Sequence, residues 1–297
     1  LFMMSGFPNY YQIAKCYRDE DSRKDRQPEF TQLDLEFSDA NPELVKSKVE
    51  EIIKFVFSDA YDCKIKTPFN TLTYEEAINL YGTDKPDLRI EETIFDITDI
   101  FTETSINFLK DILSSQGTIK ALHTKELLTR KQIDDLDTEI KELGSNGLGW
   151  FKIEDNTISG PLAKLLNDKE KSKLLSYGSG TLLFQAGIIK EIANYLDVIR
   201  RTVFQPLNKD VYSFVWIEDF PFFEVEDGEL QPSHHPFTSP KSNEIFKDDP
   251  TNATALHYDL VLNGVELGSG SQRINNPEIQ ILVLEKWGLS KEEISER

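Results

Sequence analysis

The chain has 297 residues, with 33 Lys and Arg against 52 Asp and Glu and a net charge of -19. Such a length holds two domains with substantial cores, and the acidic excess argues against a general polyanion-binding surface, so any RNA contact has to be local. Cys16 and Cys63 lie far apart with no CxxC spacing, and no apolar run reaches the ~18 residues of a membrane span; the expectation is a reducing compartment, no structural zinc and a soluble cytoplasmic protein.

From the start, LFMM follows no initiator methionine and reads as the end of a helix. Tyr10 to Arg18 then alternates with period 2, placing Gln12, Ala14, Cys16 and Arg18 on one face and Tyr11, Ile13 and Tyr17 on the other. A charge-dense loop follows, and a second alternating segment sets Phe30, Gln32, Asp34 and Glu36 against Leu33, Leu35 and Phe37. Buried carboxylates without partners cost several kcal/mol, so a row of Phe, Gln, Asp and Glu is expected to face a ligand rather than a core. For Arg18 the bland reading is a surface ion pair with Asp19 or Glu20. The pointed reading is a phosphoryl contact, which suits a planar and permanently charged fork.

Asn41-Pro42 opens an amphipathic helix bearing Leu44, Val45, Val49, Ile52, Ile53 and Val56, and Thr73 with Glu76 caps a second helix that Gly82 ends. Gly and Pro in YGTDKPDLR, Tyr81 to Arg89, mark a boundary. Residues from about Thr93 to about Pro206 carry their own apolar pattern, in which the lone His123 is expected at the surface. Val211 to Ile217 reads as a buried strand leading to Phe220, Phe222 and Phe223, which are expected to pack. The loop SHHPFTSP, Ser233 to Pro240, offers His234 and His235; solvated histidines, a metal pair lacking a third nearby ligand, and ligand contacts are the open readings, the last being taken.

In YDLVLNGVELGSGSQRI, Tyr258 to Ile274, Asn263-Gly264 is a type I′ hairpin signal that pairs Leu262 with Val265, Val261 with Glu266 and Asp259 with Gly268. Asp259 and Glu266 then project from one face with backbones on the order of 7 Å apart, suited to a divalent cation; an exposed hairpin face is the alternative. Asn276-Pro277 starts a helix stopped by Gly288, and Ser290 with Glu293 caps another that Arg297 interrupts, so a partial protein is expected.

Tyr17 to Leu35, YRDEDSRKDRQPEFTQLDL, resembles motif 2 of class II aminoacyl-tRNA synthetases, in wording closest to the bacterial-type aspartyl enzymes, and SHHPFTSP and the Tyr258 to Ile274 segment resemble that family as well. The resemblance implies an α+β fold, a class II antiparallel sheet flanked by helices and interrupted by an α+β insertion domain: catalytic residues 1–92, insertion residues 93–206 and further catalytic residues 207–297. It implies aspartate–tRNA ligase activity: ATP and Mg²⁺ convert L-aspartate to aspartyl-adenylate, and the acyl group passes to tRNA(Asp). Arg18 would be catalytic on the α-phosphate. Asp19, Glu20, Gln27, Phe30, His235 and Glu266 would join it around ATP, with Phe30 stacked on adenine. Gln32, Asp34, His234 and Arg273 would hold aspartate, Asp34 as counter-ion to the α-ammonium and Arg273 on the side-chain carboxylate. Asp259 and Glu266 would hold magnesium, and the intact enzyme would be a homodimer.

This sequence departs from the family at Gly268-Ser269-Gly270, where three glycines are usual; the Ser269 Cβ enters a place of close backbone approach. Motif 1, the aspartate-binding lysine, the OB domain and the motif 3 arginine have no counterpart in it, so the isolated chain is expected to be inactive. Two rivals stand beside the main reading: a nondiscriminating enzyme that also charges tRNA(Asn), and a noncatalytic binding paralogue.

Overall fold

The computed structural model describes residues 2–19, 26–206, 208, 210–226 and 229–295. Strands Asn9–Tyr17 and Glu29–Phe37 form an antiparallel pair, as do Phe223–Glu226 and Glu229–Pro232. A four-stranded sheet runs in the order Val265–Ser271, His257–Leu262, Phe214–Glu218, Asn70–Thr73. By internal contacts the chain divides into two compact units, one of Leu1–Asn70, Asp219–Asp259 and Leu267–Arg297, the other of Thr71–Glu218 and Leu260–Glu266.

In the first unit, helix Pro42–Tyr61 begins where the Asn41 side chain accepts from Leu44 N at 2.9 Å, satisfying a donor that the helix leaves open. Its expected apolar stripe is only partly covered, since Leu44 and Val56 are exposed while Phe57 and Glu50 are buried. Glu50 is satisfied there by the backbone N–H of Phe69, 3.1 Å away. Phe222, Phe223, Phe246, Ile279 and Val283 make a local core, so the aromatic run after residue 219 packs as expected. Helix Pro277–Lys286 starts at an Asn276 cap, and Ser290 with Glu293 forms the expected reciprocal cap. Residues 2–6 turn instead of ending a helix: Phe7 N returns to Phe2 O, Gly6 sits at φ +90°, and Pro8 removes the next donor.

The second unit is built on a five-stranded sheet in the order Phe95–Asp96, Thr118–Thr124, Gly180–Gly187, Gly149–Glu154, Thr157–Ser159. Strand alternation divides its core. Leu122 and Leu183 face Ile133, Leu136, Leu196 and Ile199 of two helices, while Ile119, Ala121, Phe151, Leu182 and Phe184 face Leu109 and Leu174. Each large side chain so buried contributes about 1.5–3 kcal/mol relative to exposure.

Two expectations fail in this unit. His123 is half-buried on a central strand opposite Leu182, its Nε2 without a hydrogen-bond partner; burial, then Lys125, hold its pKa below the ordinary value. The strand expected from Val211 begins at Phe214, because the Asn263 amide bonds Val211 O at 3.0 Å and Ser213 N at 2.8 Å, where ladder partners would otherwise lie.

Candidate active site

The hairpin of Asn9–Tyr17 and Glu29–Phe37 pairs Gln12 with Asp34, Ala14 with Gln32 and Cys16 with Phe30, so the two polar rows read from the sequence merge into one face. On that face Gln12 Nε2 donates to Asp34 Oδ2 at 3.1 Å, and Cys16 Sγ donates to Gln32 Oε1 at 3.0 Å. Asp34 and Gln32 are therefore held by cross-strand neighbours and remain half-buried. At the loop end, the Arg18 guanidinium carbon stands 5.1 Å from the centroid of Phe30, and Arg18 N donates to Pro28 O at 2.9 Å. Asp19 and Gln27 are exposed beside them, whereas Glu20 lies outside the described residues. The opposite face leaves Tyr11, Ile13, Tyr17 and Leu33 exposed.

In the same unit the histidine loop is stitched to the segment after strand Val265–Ser271. Ser239 N donates to Gln272 O and Ile274 N to Phe237 O, both at 2.8 Å, and Thr238 bridges Arg273. These bonds set the Arg273 guanidinium over the Phe237 ring at 4.1 Å, a cation–π contact, with Arg273 Nη2 3.3 Å from Glu36 Oε1. Glu36 ends the Phe30, Gln32, Asp34 row, so Arg273 meets the very face expected to bind an amino acid. The His235 ring lies tilted against Phe237 with centroids 3.8 Å apart, and partial burial, then the Arg273 charge, lower its pKa.

His234 turns the other way. Its ring lies 4.2 Å from that of His257, both meet Phe220 edge-on, and His257 Nε2 is 2.9 Å from Asp259 Oδ1. The His234 pKa is lowered to about 4 by burial first and then by its histidine neighbour, which leaves a neutral imidazole at neutral pH, and its Nε2 is buried without a partner. Glu36 belongs to the row expected from the sequence to face a ligand, whereas His257 was not singled out for a role. His257 could have been, because residues two apart on a strand share a face with Asp259.

The turn at Asn263-Gly264 has φ +52° and +85°, as a type I′ hairpin requires. In the second unit, Glu266 Oε2 lies 3.1 Å from Lys85 Nζ. Among the described residues no group of three or more His, Cys, Asp and Glu gathers in a metal-binding arrangement. The Glu266 carboxylate offers hard oxygen donors of the kind that fit magnesium when water and phosphate oxygens complete its shell, and it already accepts a cation in the Lys85 ammonium. In the glycine-rich segment, a Cβ on Gly268 would meet nothing within 4 Å, but one on Gly270 would stand 2.6 Å from the Tyr258 ring.

The sequence pattern of the class II tRNA synthetases (D, K and N) matches residues 1–297. The chain belongs to that family. With membership settled, this class II chain has the α+β architecture expected of it, with antiparallel sheets and flanking helices. It is 39% identical over 316 aligned residues to the aspartate–tRNA(Asp/Asn) ligase of Hydrogenobaculum sp. (strain Y04AAS1), covering 99% of this chain and 53% of that protein. It is 40% identical to the aspartate–tRNA(Asp/Asn) ligase of Dictyoglomus turgidum, covering 100% of this chain and 52% of that one. It is also 40% identical to the aspartate–tRNA ligase of Mycoplasma capricolum subsp. capricolum, covering 99% and 53%. The synthetase chain thus spans about half the length of these curated relatives. Among its described residues no helix is long and apolar enough to cross a membrane.

Proposed function

We propose that the chain forms part of an aspartate–tRNA ligase that activates L-aspartate with ATP and transfers it to tRNA(Asp). The observation carrying this reading is the hairpin face where Gln32 and Asp34 stand in register with Gln12 and Ala14 and end at the Glu36–Arg273 pair, because it sets an anionic and a cationic anchor on one surface. A zwitterionic amino acid with an acidic side chain needs both. Asp34 would bind the α-ammonium and Arg273 the side-chain carboxylate, with Gln32 lining the same ligand; His234, whose ring packs on His257 and Phe220, would meet it through its unpartnered Nε2.

In the first step an oxygen of the aspartate α-carboxylate forms a bond to the α-phosphorus of ATP while the bond from that phosphorus to pyrophosphate breaks. No covalent enzyme intermediate is needed, so catalysis is positioning and charge stabilisation. Arg18 would bind the α-phosphate oxygens as they gain charge, and Phe30 would stack on adenine, with Asp19, Glu20, Gln27 and His235 around the nucleotide. Magnesium, when bound, neutralises phosphate charge; Asp259 and Glu266 would hold it. In the second step a ribose hydroxyl at the tRNA 3′ end attacks the activated carbonyl and AMP leaves. The domain reading keeps residues 1–92 and 207–297 for this chemistry and 93–206 as an insertion.

The proposal extends to a homodimer in the cytoplasm. A second reading, that tRNA(Asn) is charged as well, is favoured by the tRNA(Asp/Asn) names of two relatives. Aspartate-dependent ATP–pyrophosphate exchange by the full-length protein tests the first step, and aspartylation of purified tRNA(Asp) and tRNA(Asn) separates the two readings. Absence of exchange with an intact fold would favour the noncatalytic paralogue.

A further inference from the structure

Lys85 lies in the Gly- and Pro-containing loop after helix Tyr74–Tyr81, yet the loop is tightly held. Arg89 grips Asp87 through Nε at 2.9 Å and Nη2 at 2.7 Å, and its backbone N–H adds a bond at 3.0 Å. The fully buried Arg200 donates to the carbonyls of Asp87 at 3.0 Å, Ile90 at 2.6 Å and Glu92 at 2.6 Å, with its guanidinium over Tyr81. Lys85 N donates to Thr83 Oγ1 at 3.1 Å.

The other partner is as firmly placed. Two residues before Glu266, Gly264 packs so closely on Asp87 that an added Cβ would stand 3.3 Å from the Asp87 Cβ, and the preceding Asn263 is tied to Val211 and Ser213. A surface ion pair on two mobile stems contributes little. Here both backbones are fixed and the side chains are only 31% and 26% exposed, so the Lys85 ammonium is directed onto the Glu266 carboxylate at 3.1 Å. A carboxylate oxygen that contacts an ammonium in this way cannot at the same point take a metal ion, which sits about 2.0–2.1 Å from its ligand.

We infer that Lys85 is the resident counter-cation of Glu266, occupying the position a divalent ion takes with ATP and having to be displaced when that ion enters. The inference rests on the reading of Glu266 as a magnesium ligand. Lys85 is a positioning residue: it holds the carboxylate oriented and charge-compensated before the metal arrives, at the cost of weaker metal binding.

The test is titration of the full-length protein with Mn²⁺ in the presence of a non-hydrolysable ATP analogue, counting free Mn²⁺ by its paramagnetic resonance. Wild type, Lys85→Met, Lys85→Arg, Glu266→Gln and the Lys85→Met/Glu266→Gln pair are compared, with Lys85→Gln as a substitute if Met impairs folding. Expected are about tenfold tighter Mn²⁺ binding for Lys85→Met, near-wild-type binding for Lys85→Arg, at least tenfold weaker binding for Glu266→Gln, and no added effect of Lys85→Met in the Glu266→Gln background. If Glu266→Gln leaves Mn²⁺ binding unchanged, the metal-ligand reading falls and this inference with it. If Glu266→Gln weakens binding while Lys85→Met leaves it unchanged or weakens it too, Lys85 is not a competitor and only the inference is overturned.

Discussion

Arg273 Nη2 and Glu36 Oε1 lie 3.3 Å apart, with the Arg273 guanidinium 4.1 Å above the Phe237 ring. The stacking leaves the edge of the fork for carboxylates, and Glu36 shows that one can reach it. An aspartate side chain presenting two equivalent oxygens would match the fork, whereas the NH₂ of asparagine would confront its donors. Arg273→Leu in the full-length protein is therefore expected to lower kcat/KM for aspartate activation by at least about a hundredfold, the scale of a charge pair broken on one side, while asparagine activation changes much less. Exchange kinetics on both amino acids, with a melting curve as the folding control, decide it; an aspartate-to-asparagine ratio equal to wild type rejects the specificity role.

The glycine-rich segment predicts opposite outcomes at neighbouring glycines. Tyr258 is buried at 4% exposure, and burial, then the Glu43 charge, push its pKa up to about 12. A Cβ on Gly270 would lie 2.6 Å, 2.9 Å and 3.0 Å from three atoms of that side chain, whereas one on Gly268 meets open space. Gly270→Ala should destabilise by about 1–3 kcal/mol, the usual scale of overpacking, and Gly268→Ala should be close to neutral. Denaturant unfolding of the two variants checks the contrast, and equal stabilities would show that the Tyr258 ring moves aside without cost.

What was legible in the sequence was what the chain settles locally. The caps at Asn41, Thr73 with Glu76, Asn276, and Ser290 with Glu293 are all formed, since each needs only a side chain and a backbone N–H within three residues. Period-2 alternation likewise put Gln32 and Asp34 on one face. The partners of those faces were not legible, because Glu36 and Arg273 are 237 residues apart and Lys85 and Glu266 meet through the loop that Arg200 clamps. The late start of strand Phe214–Glu218 has the same origin: Val211 and Ser213 are claimed by Asn263, about fifty residues on. His123 was misplaced for lack of any local sign that its strand would be central.

A pH dependence follows from His234. Its pKa falls from the ordinary 6.5 to about 4 in the folded chain, so between those values the unfolded chain binds more protons than the folded one, and stability rises with pH. The contribution is fully present above the unfolded value, is lost progressively as pH falls from 6.5 toward about 4, and changes no further below that. Its ceiling is about 3 kcal/mol, from roughly 1.4 kcal/mol per pKa unit. The groups around the His234 ring are His257 and, through it, Asp259. Replacing His234 by Gln should flatten the stability profile across this window, measured by urea unfolding at several pH values. A slope as steep as wild type would assign the dependence to another group.

Arg18 offers the most direct test of the chemistry. It stands beside Phe30, its guanidinium carbon 5.1 Å from the ring centroid, and the Arg18 N to Pro28 O bond at 2.9 Å fixes its backbone where the loop leaves the hairpin. If the side chain binds the α-phosphate as charge develops, removing it costs what losing one transition-state charge partner costs, a factor of about a hundred or more in exchange rate. Arg18→Ala in the full-length protein should show that loss in kcat with a smaller change in KM for aspartate. Arg18→Lys separates charge from geometry: an ammonium keeps the charge but not the planar fork, so it should recover only part of the rate. Full activity in Arg18→Ala would remove the residue from the mechanism, and complete rescue by Lys would reduce its role to simple charge.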